Sequence, residues 1–433
     1  MPSPFLPQEL LFHIIDNVDP SSEQGQQSLR ATSLAGHALR IICQERLFQK
    51  VQISYVASVD HLRGMIFILS EDERTTGQRF RDVLNRSPHI GAYVQSLTIN
   101  TSKKPWSGSL DPEDMFGLPK CYSELPSFSL YSIVAAMPNL KKFSVSSSSS
   151  KTFFAGNNVG KCMHACLSSI VSRVTDLDLT ILPSIPVSIF SGSSSLQDLR
   201  VSSLKKSNTL TAQGAVTKTK LRKLMFLFLC PEDRVVIKWL NSPHSPLDIS
   251  ELRSLSGSII PLYSASILNE WLPLCFSALE ELKFTVKPSE SGSSRVVDLK
   301  RLLRLRQLKI TATVTNHNSQ HLVYISRTLN TLPFRQLRPR QLHLELTMRV
   351  NDLPHFGTNL PLLHWTDLVT TLEDNRAFPC FSQVKIRIGR FESRLSHEKI
   401  RINTSVTELT QILDKNDGLR KLRERGLLSY MPY

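Results

Sequence analysis

Val174-Thr175-Asp176-Leu177-Asp178-Leu179 carries apolar residues at its first, fourth and sixth positions. The spacing returns as Val94-x-x-Leu97-x-Ile99, Leu140-x-x-Phe143-x-Val145 and Leu196-x-x-Leu199-x-Val201. It continues as Leu221-x-x-Leu224-x-Phe226, Leu279-x-x-Leu282-x-Phe284, Leu305-x-x-Leu308-x-Ile310 and Phe381-x-x-Val384-x-Ile386. Leu252-x-x-Leu255 and Leu342-x-Leu344-x-Leu346 are shorter versions. The positions Leu177, Leu199, Leu224, Leu252, Leu282 and Leu308 lie 22, 25, 28, 30 and 26 residues apart.

Periods of that length with this pattern mark leucine-rich repeats. Each repeat supplies one short strand whose alternate side chains enter a shared core, and then a return segment. No repeat can bury its apolar face alone, so neighbours stack into a curved parallel sheet. Helical return segments are readable at Leu130–Met137, Cys162–Val171, Asp233–Leu240, Ser264–Leu272, His321–Leu332 and Trp365–Leu372. The Asn that regular repeats carry after the strand is mostly absent. The array is therefore irregular, with Ser-rich insertions at Ser146–Ser150, Ser191–Ser195 and Ser289–Ser294.

Outward from the array, residues 54–90 read as a helical connector. Val59, Leu62, Met65, Ile66 and Leu69 suggest one helix, and Arg79–Asn85 another. Val406–Leu428 reads as an amphipathic C-terminal cap, which a solenoid needs. Before the connector, Leu6-Pro7 has the form of a helix start. Leu10, Leu11, Ile14, Ile15 and Val18 then recur at helical spacing, and Asp19-Pro20 stops that helix. A second helical segment runs from about Ser28 through Leu29, Leu34, Ile41 and Ile42 to Arg46-Leu47-Phe48. The strand-like Val51-Gln52-Ile53 follows. So short a helical unit buries little surface by itself and needs a partner face.

These N-terminal residues resemble a family. Leu6-Pro7-x-Glu9-Leu10, Ile14-Ile15-Asp16, Leu29-Arg30-Ala31-Thr32-Ser33-Leu34 and Arg46-Leu47-Phe48-Gln49-Lys50-Val51 look like an F-box. They are most similar to the F-box-like proteins of the expanded family in mushroom-forming (basidiomycete) fungi. Leu368–Ile388 and the tail Leu419–Leu428 resemble that family too. After Ser33-Leu34 the family usually shows a small or Cys residue, a basic residue and a Trp; here the run is Ala35-Gly36-His37-Ala38-Leu39. The resemblance implies a Skp-family adaptor, and through it a cullin, as partner of the helices. It assigns that contact, or the packing that shapes it, to Leu6, Pro7, Leu10, Ile14, Leu29 and Leu34.

The expected fold is thus α/β. An all-α F-box-like module over 1–53 and a helical connector over 54–90 precede an irregular leucine-rich-repeat solenoid over 91–390. A helical cap over 391–433 closes the chain. The resemblance implies a substrate-recognition subunit of an SCF-type cullin–RING ubiquitin ligase, with a protein substrate on the solenoid. The alternative is a non-catalytic interaction scaffold whose degenerate F-box no longer binds the adaptor. Both place the chain in the cytoplasm or nucleus.

Composition bounds the chemistry. Lys+Arg 52 against Asp+Glu 37 leaves a net charge of +15, but the basic residues are spread along the chain, so a nucleic-acid or phosphoinositide binder ranks third. The seven cysteines are scattered and odd in number, which fits reduced thiols. The N-terminus shows no secretory pattern, and the apolar run Leu224–Cys230 is too short for a bilayer. Ala155–Cys162 departs from a phosphate loop in its glycine spacing and lacks the Ser/Thr after Lys161. Cys162-x-His164-x-Cys166 places its ligands two apart on a helix, on different faces. No catalytic, metal or cofactor residues are expected and no enzyme is read. Function in a solenoid sits on exposed strand positions. Arg200, Lys223, Lys283, Lys309 and Lys385 are the substrate candidates there, and the later strands predict a preference for acidic partners.

Overall fold

The computed structural model describes residues 8–20, 22–60, 65–68, 76–103, 125–147, 161–180, 185–202, 204–205, 218–229, 233–243, 245–259, 264–286, 296–315, 320–332, 341–350, 365–373, 383–390, 411, 413–426 and 428–432. The chain divides into two compact units, Met1–Ser202 and Ser203–Tyr433. The division falls inside the expected 91–390 array.

The first unit begins with three helices: α1 (Gln8–Asp16), α2 (Glu23–Ala35) and α3 (His37–Phe48). The expected second helical segment is therefore two helices. Gly36 separates them in an extended conformation, φ −174° and ψ 155°, serving as C-cap of α2 and N-cap of α3. Ser22 caps α2, its hydroxyl accepting from the Gly25 amide at 3.1 Å. The turn before α2 closes so tightly that a Cβ at Gly25 would lie 1.9 Å from the Asp19 carbonyl oxygen.

Strand β1 (Lys50–Asp60) leaves α3 directly and pairs in parallel with β3 (Ser96–Lys103), Val51 opposite Leu97 and Ile53 opposite Ile99. It also forms an antiparallel hairpin with β2 (Met65–Ile68), Asp60 opposite Met65. The helix expected over Val59–Leu69 is thus a correction. Val51, Ile53, Tyr55, Ala57 and Val59 alternate with period two, and β-branched residues at that period favour a strand over the partial 3.6 pattern. After α4 (Thr76–Arg86) and α5 (His89–Tyr93), the sheet continues through β3, β4 (Lys142–Ser147), β5 (Asp176–Leu179) and β6 (Asp198–Val201), all parallel. Helices α6 (Leu125–Ala135) and α7 (Lys161–Val171) are return segments, and α4, α6 and α7 pack successively.

In the second unit β7 (Lys223–Leu229), β8 (Ser254–Ile259), β9 (Glu281–Val286), β10 (Gln307–Thr315), β11 (Gln341–Val350), β12 (Gln383–Arg390) and β13 (Leu428–Pro432) are parallel neighbours in chain order. Between them lie α8 (Asp233–Leu240), α9 (Ser264–Cys275), α10 (Gln320–Leu329), α11 (Trp365–Glu373) and α12 (Asp417–Glu424). The helix expected to run on to Leu428 is shorter: Asn416 caps its start by accepting from the Leu419 amide, and Gly426 at φ 69° ends it. Leu428 then opens the last strand.

Register explains the core. Leu224, Leu255, Leu282, Leu308 and Leu342 form one column across the strands. All five are buried. The next inward column is Phe226, Gly257, Phe284, Ile310 and Leu344. Gly257 leaves room there, and Trp271 of α9 meets Phe226 edge-on, ring centroids 5.0 Å apart. Burying each such side chain contributes about 1.5–3 kcal/mol. Alternate residues face solvent, as the pattern along β9 shows.

Several strands start with a shared hydrogen bond. The Gln49 carbonyl accepts from the Gln95 and Ser96 amides, Gln95 from Lys141 and Lys142, and Lys141 from Thr175 and Asp176. In the second unit Arg222 accepts from Arg253 and Ser254, Arg253 from Glu280 and Glu281, and Glu280 from Arg306 and Gln307. One carbonyl with two lone pairs thereby fixes where the next strand begins. Side chains do the same for the returns: Asn269 accepts from the Asp298 amide at 2.8 Å and donates to the Val296 carbonyl at 2.8 Å. Ser191–Ser195, expected as an insertion, is partly packed instead. Val187–Gly192 is a 3₁₀ turn, Ser193 is buried, and the Ser195 hydroxyl donates to the Val174 carbonyl.

Candidate functional site

Helices α1–α3 share a small core of Ile15, Leu29 and Cys43, with Val18, Leu39, Ile42 and Leu47 packed against it. The Arg46 guanidinium donates to the Asp16 carbonyl at 2.5 Å, tying α3 to the end of α1. Helix α2 turns its hydroxyls inward on its own backbone: Ser28 to Gln24, Thr32 to Ser28 and Ser33 to Arg30.

The apolar residues left over stand in solvent. Leu10 is 50%, Ile14 56%, Leu34 80% and Ile41 44% exposed. With Phe12 they make five of the eight exposed large hydrophobics among the described residues, in a fraction of the chain. Leu10 and Ile14 are one turn apart on a single stripe of α1. A helix one turn deep in its own core has no use for a second apolar stripe unless another surface covers it.

The structure sorts the residues that the F-box resemblance singled out. Leu29 is core, so its role is packing. Leu10, Ile14 and Leu34 are exposed and free to touch a partner. Leu6 and Pro7 lie outside the described residues. Sequence periodicity put Leu10, Leu11, Ile14, Ile15 and Val18 on one face; the structure turns Ile15 and Val18 inward and Leu10 and Ile14 outward.

The exposed sheet positions are less open than their sequence suggests. Lys283 pairs with Glu281 at 2.6 Å and Lys309 with Glu345 at 2.7 Å. Lys385 stands in register beside Glu345. Arg200 reaches Asp178 at 3.6 Å, and Lys223 lies close enough to Glu281 to lower its pKa. Glu281 feels burial, which raises its pKa, but hydrogen bonds from Lys283 and Ser254 with the charges of Lys283 and Lys223 outweigh it, and the net shift is downward. The basic face expected on the later strands thus carries its own counter-charges. In the first unit Thr98 and Ser144 are bonded at 2.9 Å, and Ser146 donates to Asn100.

Two turns escaped sequence reasoning. Leu247-Asp248-Ile249-x-x-Leu252 and Val297-Asp298-Leu299-x-x-Leu302 bury their apolar positions. In both, the Asp side chain accepts from the amide two residues on, Ser250 at 2.9 Å and Lys300 at 3.1 Å. Their shared spelling was the available signal.

Cys43, Cys166 and Cys275 are buried. Burial pushes the Cys275 thiol up to about 12 and that of Cys166 to about 11, Arg173 pulling the latter partly back. Among the described residues no group of three His, Cys, Asp or Glu could hold a metal ion, and no helix is long and apolar enough to cross a membrane. Residues 155–160 of the phosphate-loop-like stretch lie outside the described residues. No protein-family model matches the chain, and no curated protein is similar to it.

Proposed function

We propose that the chain is a substrate-recognition subunit of an SCF-type ubiquitin ligase: an F-box-like module joined to an irregular leucine-rich solenoid. The observation that carries the reading is the exposure of Leu10, Ile14 and Leu34 on α1 and α2. The F-box resemblance assigns these positions to the adaptor, and they stand outside a core that closes without them. Helices α1–α3 dock on a Skp-family adaptor, and the parallel sheets and their edges hold a protein substrate. The chain itself is not an enzyme and works in the cytoplasm or nucleus.

The test is co-purification of the full chain with a Skp-family adaptor beside Leu10→Asp/Ile14→Asp. The reading expects capture by the wild type and none by the variant at equal folding. Absence of capture by a folded, monodisperse wild type removes it. The scaffold reading then takes its place, favoured by Ala35-Gly36-His37-Ala38-Leu39, which lacks the usual Trp.

A further inference from the structure

At the starts of four strands in the second unit, positive charge is not answered among the described residues. Arg222, Arg253, Glu280 and Arg306 stand immediately before four successive strands, joined by the shared backbone bonds at the strand starts. Four strands spaced at about 4.8 Å set these residues along about 14 Å of edge. The turn 298–305 leads into the last of them. Its Leu299, Leu302 and Leu305 are buried, its Asp298 holds the Lys300 amide, and the Leu299 amide donates to Thr331. So pinned, the turn exposes Lys300, Arg301, Leu303 and Arg304.

The carboxylates of this edge are already engaged. Glu251 pairs with Lys220, and Glu280 with Arg306 at 3.6 Å. Asp248 and Asp298 accept the amides of their own turns. Arg222, Arg253, Lys300, Arg301 and Arg304 have no acidic partner among the described residues. On the open sheet face, by contrast, Lys283 and Lys309 are neutralised.

A second observation falls on the same edge. Phe276 and Leu303 are the exposed large hydrophobics of this unit among the described residues. They stand on the segments leading into β9 and β10, which are neighbours. Four of the five unanswered cations are arginines, whose planar fork suits carboxylate in two-point contact. The tryptophans described in this unit are buried or nearly so and offer no stacking platform to bases.

We infer that this leading edge is a docking surface for an acidic protein segment that also carries bulky apolar side chains. Its Asp and Glu carboxylates meet Arg253, Arg301 and Arg304, and its apolar side chains cover Leu303 and Phe276. The inference deepens the receptor reading, on which it rests for calling that segment a substrate.

The test uses the full chain without adaptor, so its outcome is separate from that of the receptor reading. The probe is a fluorescein-labelled peptide repeating Glu-Glu-Leu-Asp-Asp-Phe, followed by anisotropy. The wild type binds it, and binding weakens as salt rises. Arg253→Glu/Arg301→Glu/Arg304→Glu loses about tenfold or more in affinity, and the milder Arg→Gln triple moves the same way. Leu303→Ser loses a few-fold, whereas Arg79→Glu/Arg86→Glu on α4 changes nothing. No binding by the wild type, or wild-type binding by both triples, overturns the inference. So does displacement of the peptide by oligouridine at lower concentration with Leu303→Ser silent, which assigns the edge to nucleic acid.

Discussion

The N-terminal helices and the second unit are built from similar apolar sequence and use it in opposite ways. In the second unit each apolar column meets the next strand and a return helix, and Trp271 and Trp365 are buried to 0% and 1% exposure. Helices α1–α3 lie before that succession of strands, with α3 packed on α5 and running directly into β1. Their core closes around Ile15, Leu29 and Cys43, and Leu10, Phe12, Ile14, Leu34 and Ile41 remain outside. Stacking supplies partners from within the chain, whereas these five side chains of α1–α3 stay in solvent. The contrast separates residues that hold the fold from residues that stand in solvent.

Substitutions sharpen the contrast, beginning with its stable pole. Trp271→Ala removes a fully buried ring in edge-on contact with Phe226 and should cost about 3–5 kcal/mol in denaturant unfolding. Leu29→Ala should cost about 2–4 kcal/mol, read as lost hydrogen-exchange protection in residues 8–48. A cost within about 0.5 kcal/mol would mean that the helices have no core of their own.

A pH series tests the packed pole by other means. Cys275 holds its proton to about 12 when folded, against 9.0 for an ordinary thiol. Its contribution is intact below 9.0 and is lost as pH climbs above that value, because the unfolded chain ionises first. The alkaline fall in stability should therefore be shallower in Cys275→Ala than in the wild type. Equal slopes would place this thiol in water. The smallest expected effect belongs to the open pole: Leu34→Ser should change unfolding stability by no more than about 0.5 kcal/mol.

Much of this was legible in the sequence because period-two alternation and helical return segments differ sharply. The strand starting at Lys142 follows the Leu140-x-x-Phe143-x-Val145 pattern, and the helix Asp233–Leu240 was readable to the residue. Residues 59–60 and 65–68 were not, because Val59, Leu62, Met65 and Ile66 mimic a helix stripe in sequence, whereas 57–60 and 65–68 pair as antiparallel strands. The break at Gly36 was hidden by continuous helical propensity on both sides. The open positions of the sheet were identifiable by alternation, but their counter-charges were not. Glu345 reaches Lys309 only once β10 and β11 lie in register, from sequence-distant segments. The leading edge was missed for a related reason: Arg222, Arg253 and Arg304 come onto one edge through the stacking of strands and not through spacing in the chain.

The most direct test of the sorting of apolar residues is a calorimetric titration of a Skp-family adaptor into wild type and Leu10→Asp/Ile14→Asp, with thermal unfolding of both followed in parallel. The account predicts saturable binding by the wild type, none by the variant, and superimposable unfolding curves. Equal affinity in both proteins, or a variant that unfolds at a much lower temperature, would contradict it, because Leu10 and Ile14 would then belong to no interface or to the core.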